Sequence, residues 1–184
     1  MRLLKELKTN EPEDFRNYLR MNSETFEELL KLVSPHIKKQ DTVMRNSIIP
    51  EERLVVTLRF LATGRSYECL KFNTGISPQA IGCIIPETCK IIYKVMQPKH
   101  LKFPTTTEEW KKIGKRFETR WQFPNCAGAI DGKHIRITCP AQSGALYYNY
   151  KKFYSIILMA LVNADYEFIY FDIGKTEEIR TLVF

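Results

Sequence analysis

Apolar residues recur at helical spacing through the first 125 residues of the chain. One helix is predicted from Ser23 to about Val33, where Pro35 is expected to end it. A second helix is predicted to begin at Pro50 and to end at Gly64. Four apolar positions of the second helix predict its buried face. These positions are Leu54, Val55, Leu58 and Leu61.

A short helix, a glycine turn and a capped longer helix follow one another in the middle of the chain. The amphipathic stretch 66–72 precedes the turn, and Ser77-Pro78 begins a helix reaching about Met96, which Pro86 is expected to break or kink. This order is the layout of a helix-turn-helix. The first turns of the longer helix offer only Gln79 to read bases, so an ordinary packed helical bundle is the favoured interpretation.

A further helix, capped by Thr107, combines an apolar stripe with a basic face. The stripe contains Trp110, Ile113, Phe117 and Trp121 and predicts core packing in preference to a base-stacking platform. The basic face can lie along phosphates, where each contact adds salt-sensitive affinity that is blind to base sequence. Four residues are therefore the candidates for nucleic-acid binding. They are Lys111, Lys112, Lys115 and Arg116.

Beyond residue 125 the pattern changes to strands. Residues 127–137 read AGAIDGKHIRI and lead into a single carboxylate, Asp131, with a turn expected at Gly132. An aspartate at a turn is often only a turn former, so the local pattern leaves both a structural and a catalytic role open. Residues 155–163 are apolar on both faces and predict a central strand covered on two sides, and a third strand is predicted at 167–173.

These patterns predict an α+β protein. A basic helical region with a helix-turn-helix-like element, residues 1–125, is expected to precede about three antiparallel strands in residues 126–184. The chain has a net charge of +7, and residues 126–184 are neutral, so the whole excess lies in the first region. A basic segment beside a neutral one with an isolated carboxylate suits a protein that binds a polyanion. The alternative interpretation is that the basic surface is only solvated and binds no partner.

The location of the protein in the cell is indicated by what the sequence lacks. No stretch approaches the roughly 18 unbroken apolar residues that cross a bilayer, and the start of the chain has no apolar signal-peptide core. The five cysteines contain no CxxC pair, which favours reduced thiols over disulfides or a zinc site. We therefore expect an intracellular protein, nuclear or cytoplasmic, that is neither secreted nor bound to a membrane.

The order of these pieces resembles the transposase-derived nucleases of the PIF/Harbinger type, which carry an RNase H-like domain with a DDE triad of metal-binding carboxylates. The resemblance covers nearly the whole chain. Its pieces are residues 58–85, 102–126, 128–137 (GAIDGKHIRI) and 147–174. It implies a metal-dependent endonuclease acting on DNA, with Mg²⁺ or Mn²⁺ as cofactor and Asp131 as the first catalytic and metal-binding residue.

The chain also departs from that family. The two-metal mechanism needs carboxylates from several elements, whereas residues 174–184 read GKTEEIRTLVF, with Arg180 or Thr181 where the second aspartate is expected. Glu177, Glu178 and Asp172 are nearby but are disfavoured as substitutes. We therefore expect an incomplete DDE domain that does not cleave DNA. The alternative is a non-catalytic remnant that binds DNA non-specifically through the basic region, or that binds a protein or itself through an exposed strand.

Overall fold

The computed structural model describes residues 2–43 and 46–174. Within these ranges every helix precedes every strand, which confirms the predicted α+β class. The helices are α1 (Arg2–Asn10), α2 (Pro12–Leu19), α3 (Ser23–Ile37), α4 (Pro50–Thr63), α5 (Tyr67–Thr74), α6 (Pro78–His100) and α7 (Thr107–Trp121). The strands are β1 (Ala129–Arg136), β2 (Ser155–Val162) and β3 (Phe168–Gly174).

The chain forms two compact units, Met1–Gln97 and Pro98–Phe184. The division falls inside α6, so α7 belongs to the same unit as the three strands. The boundary predicted after residue 125 marks the change from helices to strands. As a domain boundary it stays a prediction.

The first unit has an apolar core built mainly by α2, α3 and α4. Phe15 and Phe26 are fully buried at its centre, with ring centroids 5.8 Å apart in an edge-to-face arrangement. A second cluster joins α4 to α5 and α6 through Val56, Leu70 and Ile81, all of which are fully buried. The helices of this unit therefore owe their positions to their apolar faces.

Two details of α3 and α4 differ from the predictions. Pro35 lies inside α3, which continues to Ile37, because Val33 and Ile37 are both fully buried and a proline in the last turn removes only one helical hydrogen bond. Leu61 of α4 is 60% exposed, although its spacing predicts burial. The predicted end of α4 is confirmed, since Gly64 has φ +63° and donates its amide to the carbonyl of Phe60.

The predicted sequence of short helix, glycine turn and longer helix is present as α5, Gly75 and α6. Gly75 has φ +71°, and Ser66 caps α5 by accepting from the amide of Cys69. Pro86 does not break α6, which runs from Pro78 to His100. The buried residues Ile84, Ile85 and Thr88 on both sides of Pro86 hold the helix against its neighbours.

The three strands form an antiparallel meander in the order β1-β2-β3, as predicted. The expected turn at Gly132 is absent, because this glycine pairs with Met159 inside β1. Gly128 does mark a close approach, since a Cβ there would lie 2.7 Å from Leu161 Cδ1. Strand β2 is central, but after the buried Ser155 its residues are only half-buried, so the expected cover on both faces is incomplete.

Candidate functional site

Asp131 is the third residue of β1 and its side chain is exposed. Its Oδ1 accepts a hydrogen bond of 2.8 Å from the amide of Gly132. Asp131 lies opposite Ala160 of β2, which in turn lies opposite Phe171 of β3. Residues directly opposite one another share a face of the sheet, so the carboxylate stands beside a small apolar residue and then a phenyl ring.

Asp172 does not join Asp131 on this face. It pairs with Met159, one position along from Ala160, and successive residues of a strand point to opposite faces. The structure does not describe the other residues that the sequence analysis named in connection with the second and third carboxylates. They are Glu177, Glu178, Arg180 and Thr181. Among residues 2–43 and 46–174, no three His, Cys, Asp or Glu side chains gather closely enough to hold a metal ion. This part of the chain therefore does not by itself fit a two-metal site, and the metal role of Asp131 stays a prediction.

Helix α7 begins at a capping box. The Thr106 hydroxyl accepts from the amide of Glu109, and the Glu109 carboxylate accepts from the amides of Thr105 and Thr106 at 2.8 and 3.2 Å. The cap lies one residue before the predicted one at Thr107. The two backbone hydrogen bonds hold the pKa of Glu109 below its usual value. The start of α7 is thus fixed by residues of the helix end itself.

The basic face of α7 is exposed as predicted, since Lys111, Lys112, Lys115 and Arg116 all face solvent. Lys111 and Lys115 are one turn apart and line a groove of about 610 Å³. The other wall of the groove is the segment 125–127, which leads directly into β1. A Cβ at Gly114 would lie 3.5 Å from the carbonyl oxygen of Cys126, so the helix backbone approaches this segment closely. Glu118 supplies an acidic group to the same groove.

Arg116 differs from the three lysines because its guanidinium group is bound within the protein. Its Nε donates to both carboxylate oxygens of Asp165 at 3.2 and 2.9 Å, and its Nη2 donates to Oδ1 at 2.9 Å. Arg120, one turn further along α7, also pairs with Asp165. Hydrogen bonding from Arg116, and then from Arg120, holds the pKa of Asp165 below its usual value, and the same carboxylate raises the pKa of Arg116.

The end of α7 is attached to the turn between β2 and β3 by more than charge. Trp121 Nε1 donates to the carbonyl oxygen of Ala164 at 2.8 Å, and its ring packs edge-to-face on Tyr166 at 5.6 Å. Asn163 shapes this turn, because its Oδ1 accepts from the amides of Asp165 and Glu167 at 2.9 Å each. The C-terminal end of α7 is therefore attached to this turn by hydrogen bonds, ion pairs and ring packing.

The apolar stripe of α7 is only partly core. Phe117 is buried, whereas Trp110 and Ile113 are half-buried and Trp121 is 48% exposed. The predicted core packing of this stripe is therefore confirmed in full for Phe117 alone. The other three side chains of the stripe remain partly in solvent.

Sequence reasoning did not foresee the partners of Arg116 and Arg120. The two arginines are four residues apart, which places them on one side of a helix, and this spacing was the available signal. Asp165 is 45 and 49 residues further along the chain, in a turn that any Asn-Ala-Asp sequence predicts. Nothing local in the sequence indicates that the two arginines and the aspartate meet.

The fold and the site define an α+β protein in which a helical part precedes a β-meander with one exposed carboxylate on its first strand. The chain is 25% identical over 169 residues to the protein named ALP1-like from Arabidopsis thaliana, covering 88% of this chain. It is also 25% identical over 168 residues to Antagonist of Like Heterochromatin Protein 1 from Arabidopsis thaliana, covering 84% of this chain. The predicted resemblance to PIF/Harbinger transposase-derived proteins is confirmed by these similarities.

The chain spans 40% of the length of each of these two relatives. No family model matches the chain, and no solved structure matches it. Within the described part of the chain, no helix is long and apolar enough to cross a membrane.

Proposed function

We propose that this chain is a transposase-derived protein that acts in the nucleus and holds the phosphate backbone of duplex DNA on α7. The residues that we assign to phosphate binding are Lys111, Lys112 and Lys115. The observation that carries the proposal is their exposure on a helix whose C-terminal end is attached to the turn between β2 and β3 by Arg116 and Trp121.

The three lysines are available to an external anion. Their ammonium groups form no ion pair with any other described residue, whereas the nearby Arg116 is bound to Asp165. Lysine is a mobile point charge that suits phosphate oxygens without demanding one base sequence. We therefore assign Arg116 to fixing the helix, and the lysines to contacting DNA.

The attachment of α7 favours binding because the lysines need not be positioned by the ligand. The capping box at Thr106 and the pairing of Arg116 and Arg120 with Asp165 fix the helix before any DNA arrives. Binding to such a surface orders only the lysine side chains, which lowers the entropic cost of association.

Holding DNA is a better-supported proposal than cutting it. The resemblance assigns the first metal ligand to Asp131, but among the described residues Asp172 lies on the opposite face of the sheet and no cluster of metal-binding side chains forms. The name of one relative contains the word heterochromatin, which supports a nuclear location.

The test is a salt titration of binding to a fluorescein-labelled duplex of random sequence, followed by anisotropy. Each lost phosphate contact changes the slope of log K against log salt by about 0.9. We expect the Lys111→Ala/Lys115→Ala variant to have a slope shallower by roughly 1.8 and weaker binding at each salt concentration. A variant with the slope and affinity of the parent would contradict the proposal.

The chain offers a matched control on α6. Lys90 and Lys94 are also exposed and also one turn apart, so Lys90→Ala/Lys94→Ala removes the same charge at the same spacing. We expect this control to bind DNA as the parent does. If the control alone loses affinity, the binding belongs to the helix-turn-helix-like element, and if the parent does not bind duplex DNA at low salt, a protein-interaction function is favoured.

A further inference from the structure

Residues 126–184 have no net charge, but they contain a second basic surface. Between Asp131 and Asp165 the chain has four Lys or Arg residues and no Asp or Glu. These four residues lie at the end of β1 and in the loop before β2. They are Lys133, Arg136, Lys151 and Lys152. The acidic residues that balance them in the count lie elsewhere in the sequence, so the loop itself is positively charged.

The loop between Tyr147 and Ser155 is held by one buried asparagine. Asn149 Oδ1 accepts from the amides of Lys151 and Phe153 at 2.9 and 3.4 Å, and its amide donates to the carbonyl of Phe153 at 3.0 Å. Its Nδ2 donates to the buried hydroxyl of Ser155 at 2.6 Å. These bonds fix the conformation of the residues between them.

His134 of β1 completes this network from the neighbouring strand. Its Nδ1 lies 2.9 Å from Ser155 Oγ, and its ring packs edge-to-face on Tyr150 at 5.4 Å and on Phe153 at 6.5 Å. The loop is therefore attached to β1 as well as to the start of β2. A surface carried on such a loop is formed before a ligand binds.

The fixed loop exposes one aromatic ring among positive charges. Tyr150 is 78% exposed, and Lys151 Nζ lies 5.5 Å from its ring centroid. Arg136 stacks its guanidinium group 4.6 Å from the ring centroid of Phe153, and Lys152, with φ +64°, is exposed beside it. The Tyr150 ring meets His134 at one contact but leaves most of its apolar area in water, so packing within the loop does not account for its exposure.

The neighbouring tyrosines have a different environment. Tyr148 and Tyr154 form an isolated β-bridge, and their rings pack on each other at 5.2 Å. They close the base of the loop and so have a structural role. Tyr150 lies outside that pair. It therefore does not have the cross-strand packing that explains tyrosines on an edge strand.

We propose that this loop binds single-stranded DNA. Tyr150 stacks on an unpaired base, and Arg136, Lys151 and Lys152 contact the phosphates on either side of it. An exposed aromatic ring beside mobile cations is the combination that recognises unpaired nucleotides, because every base has a face for stacking and every linkage has a charge. A paired duplex keeps its base faces covered and can use only the cations.

This surface contains none of the residues assigned to duplex binding on α7, so either proposal can fail without the other. Asn149 is a positioning residue in this account, since it holds the loop and is itself buried. The function we assign to the loop is the capture of a stretch of DNA whose bases are unpaired.

The experiment measures binding of the full chain to a thymidine oligonucleotide of fifteen or so nucleotides carrying one 2-aminopurine. Loss of one stacking contact lowers affinity by roughly 5- to 100-fold, which is the effect expected for Tyr150→Ala. Tyr150→Phe keeps the ring and should keep the affinity and the quenching of 2-aminopurine fluorescence. Equal losses in Tyr150→Ala and Tyr150→Phe, or no loss in Tyr150→Ala, would overturn the proposal.

Two controls separate this surface from general effects. Tyr93→Ala removes a tyrosine that is 52% exposed on α6 and should leave binding to the oligonucleotide unchanged. Lys151→Ala/Lys152→Ala should weaken binding and make it less dependent on salt. If Tyr150→Ala weakens binding to a fully paired duplex as much as binding to the oligonucleotide, the ring acts through the fold of the loop and the proposal is wrong.

Discussion

Arg116 Nε lies 2.9 Å from Asp165 Oδ2, and this pair joins α7 to the turn between β2 and β3. Both groups are partly exposed to solvent, so the value of the pair lies in geometry more than in its electrostatic energy. Three nitrogen–oxygen contacts hold the guanidinium and carboxylate planes together, and Arg120 adds another. Both arginines that join α7 to this turn therefore use the same carboxylate, Asp165, beside the hydrogen bond from Trp121 to Ala164.

Replacing Asp165 should destabilise the unit formed by residues 98–184 in a pH-dependent way. The pKa of Asp165 is lowered from its usual 3.8, chiefly by Arg116, so its contribution to stability is complete above that value and is lost as the pH falls through the lowered pKa. We expect Asp165→Ala to melt at a lower temperature than the parent at pH 7. The difference should shrink as the pH is lowered below about 3.8.

Thermal melts at pH 7 and at pH 3, followed by circular dichroism, measure this difference. Glu118→Ala on α7 is the control, because it removes an exposed carboxylate that forms no ion pair with a described residue. A melting difference for Asp165→Ala that is the same at both pH values would mean that the pairing with Arg116 does not stabilise the unit.

Much of the fold could be predicted because its signals are local. Gly64 and Gly75 end their helices at positive φ, where glycine avoids the steric cost that other residues meet, and both ends were predictable. The antiparallel pairing of β2 with β3 also follows from the short connection at residues 163–167. In each case the residues concerned are neighbours in the sequence.

The wrong predictions concern residues whose state is set by distant parts of the chain. Pro35 stays inside α3 because Ile37 is buried by other helices, and Leu61 has the right spacing but no partner to cover it. Gly132 is a strand residue because β2 pairs with it. The position of Asp172 relative to Asp131 depends on the register across two strand pairs, which spacing along the sequence does not determine.

The two glycines of the β1 region should respond differently to alanine. At Gly128 a Cβ would meet Leu161 Cδ1 at 2.7 Å and Cγ at 3.3 Å, so Leu161 must move. We expect Gly128→Ala to reduce the free energy of unfolding by about 1–3 kcal/mol, the usual range for overpacking. At Gly132 the nearest atom is Ile157 Cγ2 at 3.8 Å, an ordinary contact.

Gly132→Ala is therefore the matched control and should be neutral or slightly stabilising, since alanine restricts the unfolded chain more than glycine does. Urea denaturation of both variants measures the two effects. The slope of unfolding free energy against urea concentration is compared with that of the parent. Equal destabilisation by the two variants would contradict the close approach at Gly128.

The core of the first unit can be tested with one buried and one exposed apolar residue. Phe26 is fully buried against Phe15, so Phe26→Ala should cost about 3–5 kcal/mol of unfolding free energy. Leu61 is 60% exposed, and Leu61→Ala should cost less than about 0.5 kcal/mol, as surface substitutions usually do. Urea denaturation gives both values. A large loss of unfolding free energy in Leu61→Ala would mean that Leu61 is buried, as its spacing predicts.

The last prediction concerns cleavage. Among the described residues Asp131 stands without a second carboxylate on its face of the sheet, and two divalent cations need several anionic ligands to compete with water. We expect the purified chain not to nick supercoiled plasmid in Mg²⁺ or Mn²⁺, and Asp131→Asn to behave as the parent does. Agarose gels of plasmid incubated with each metal, and with EDTA as the control, measure this. Magnesium-dependent nicking that disappears in Asp131→Asn would contradict the prediction.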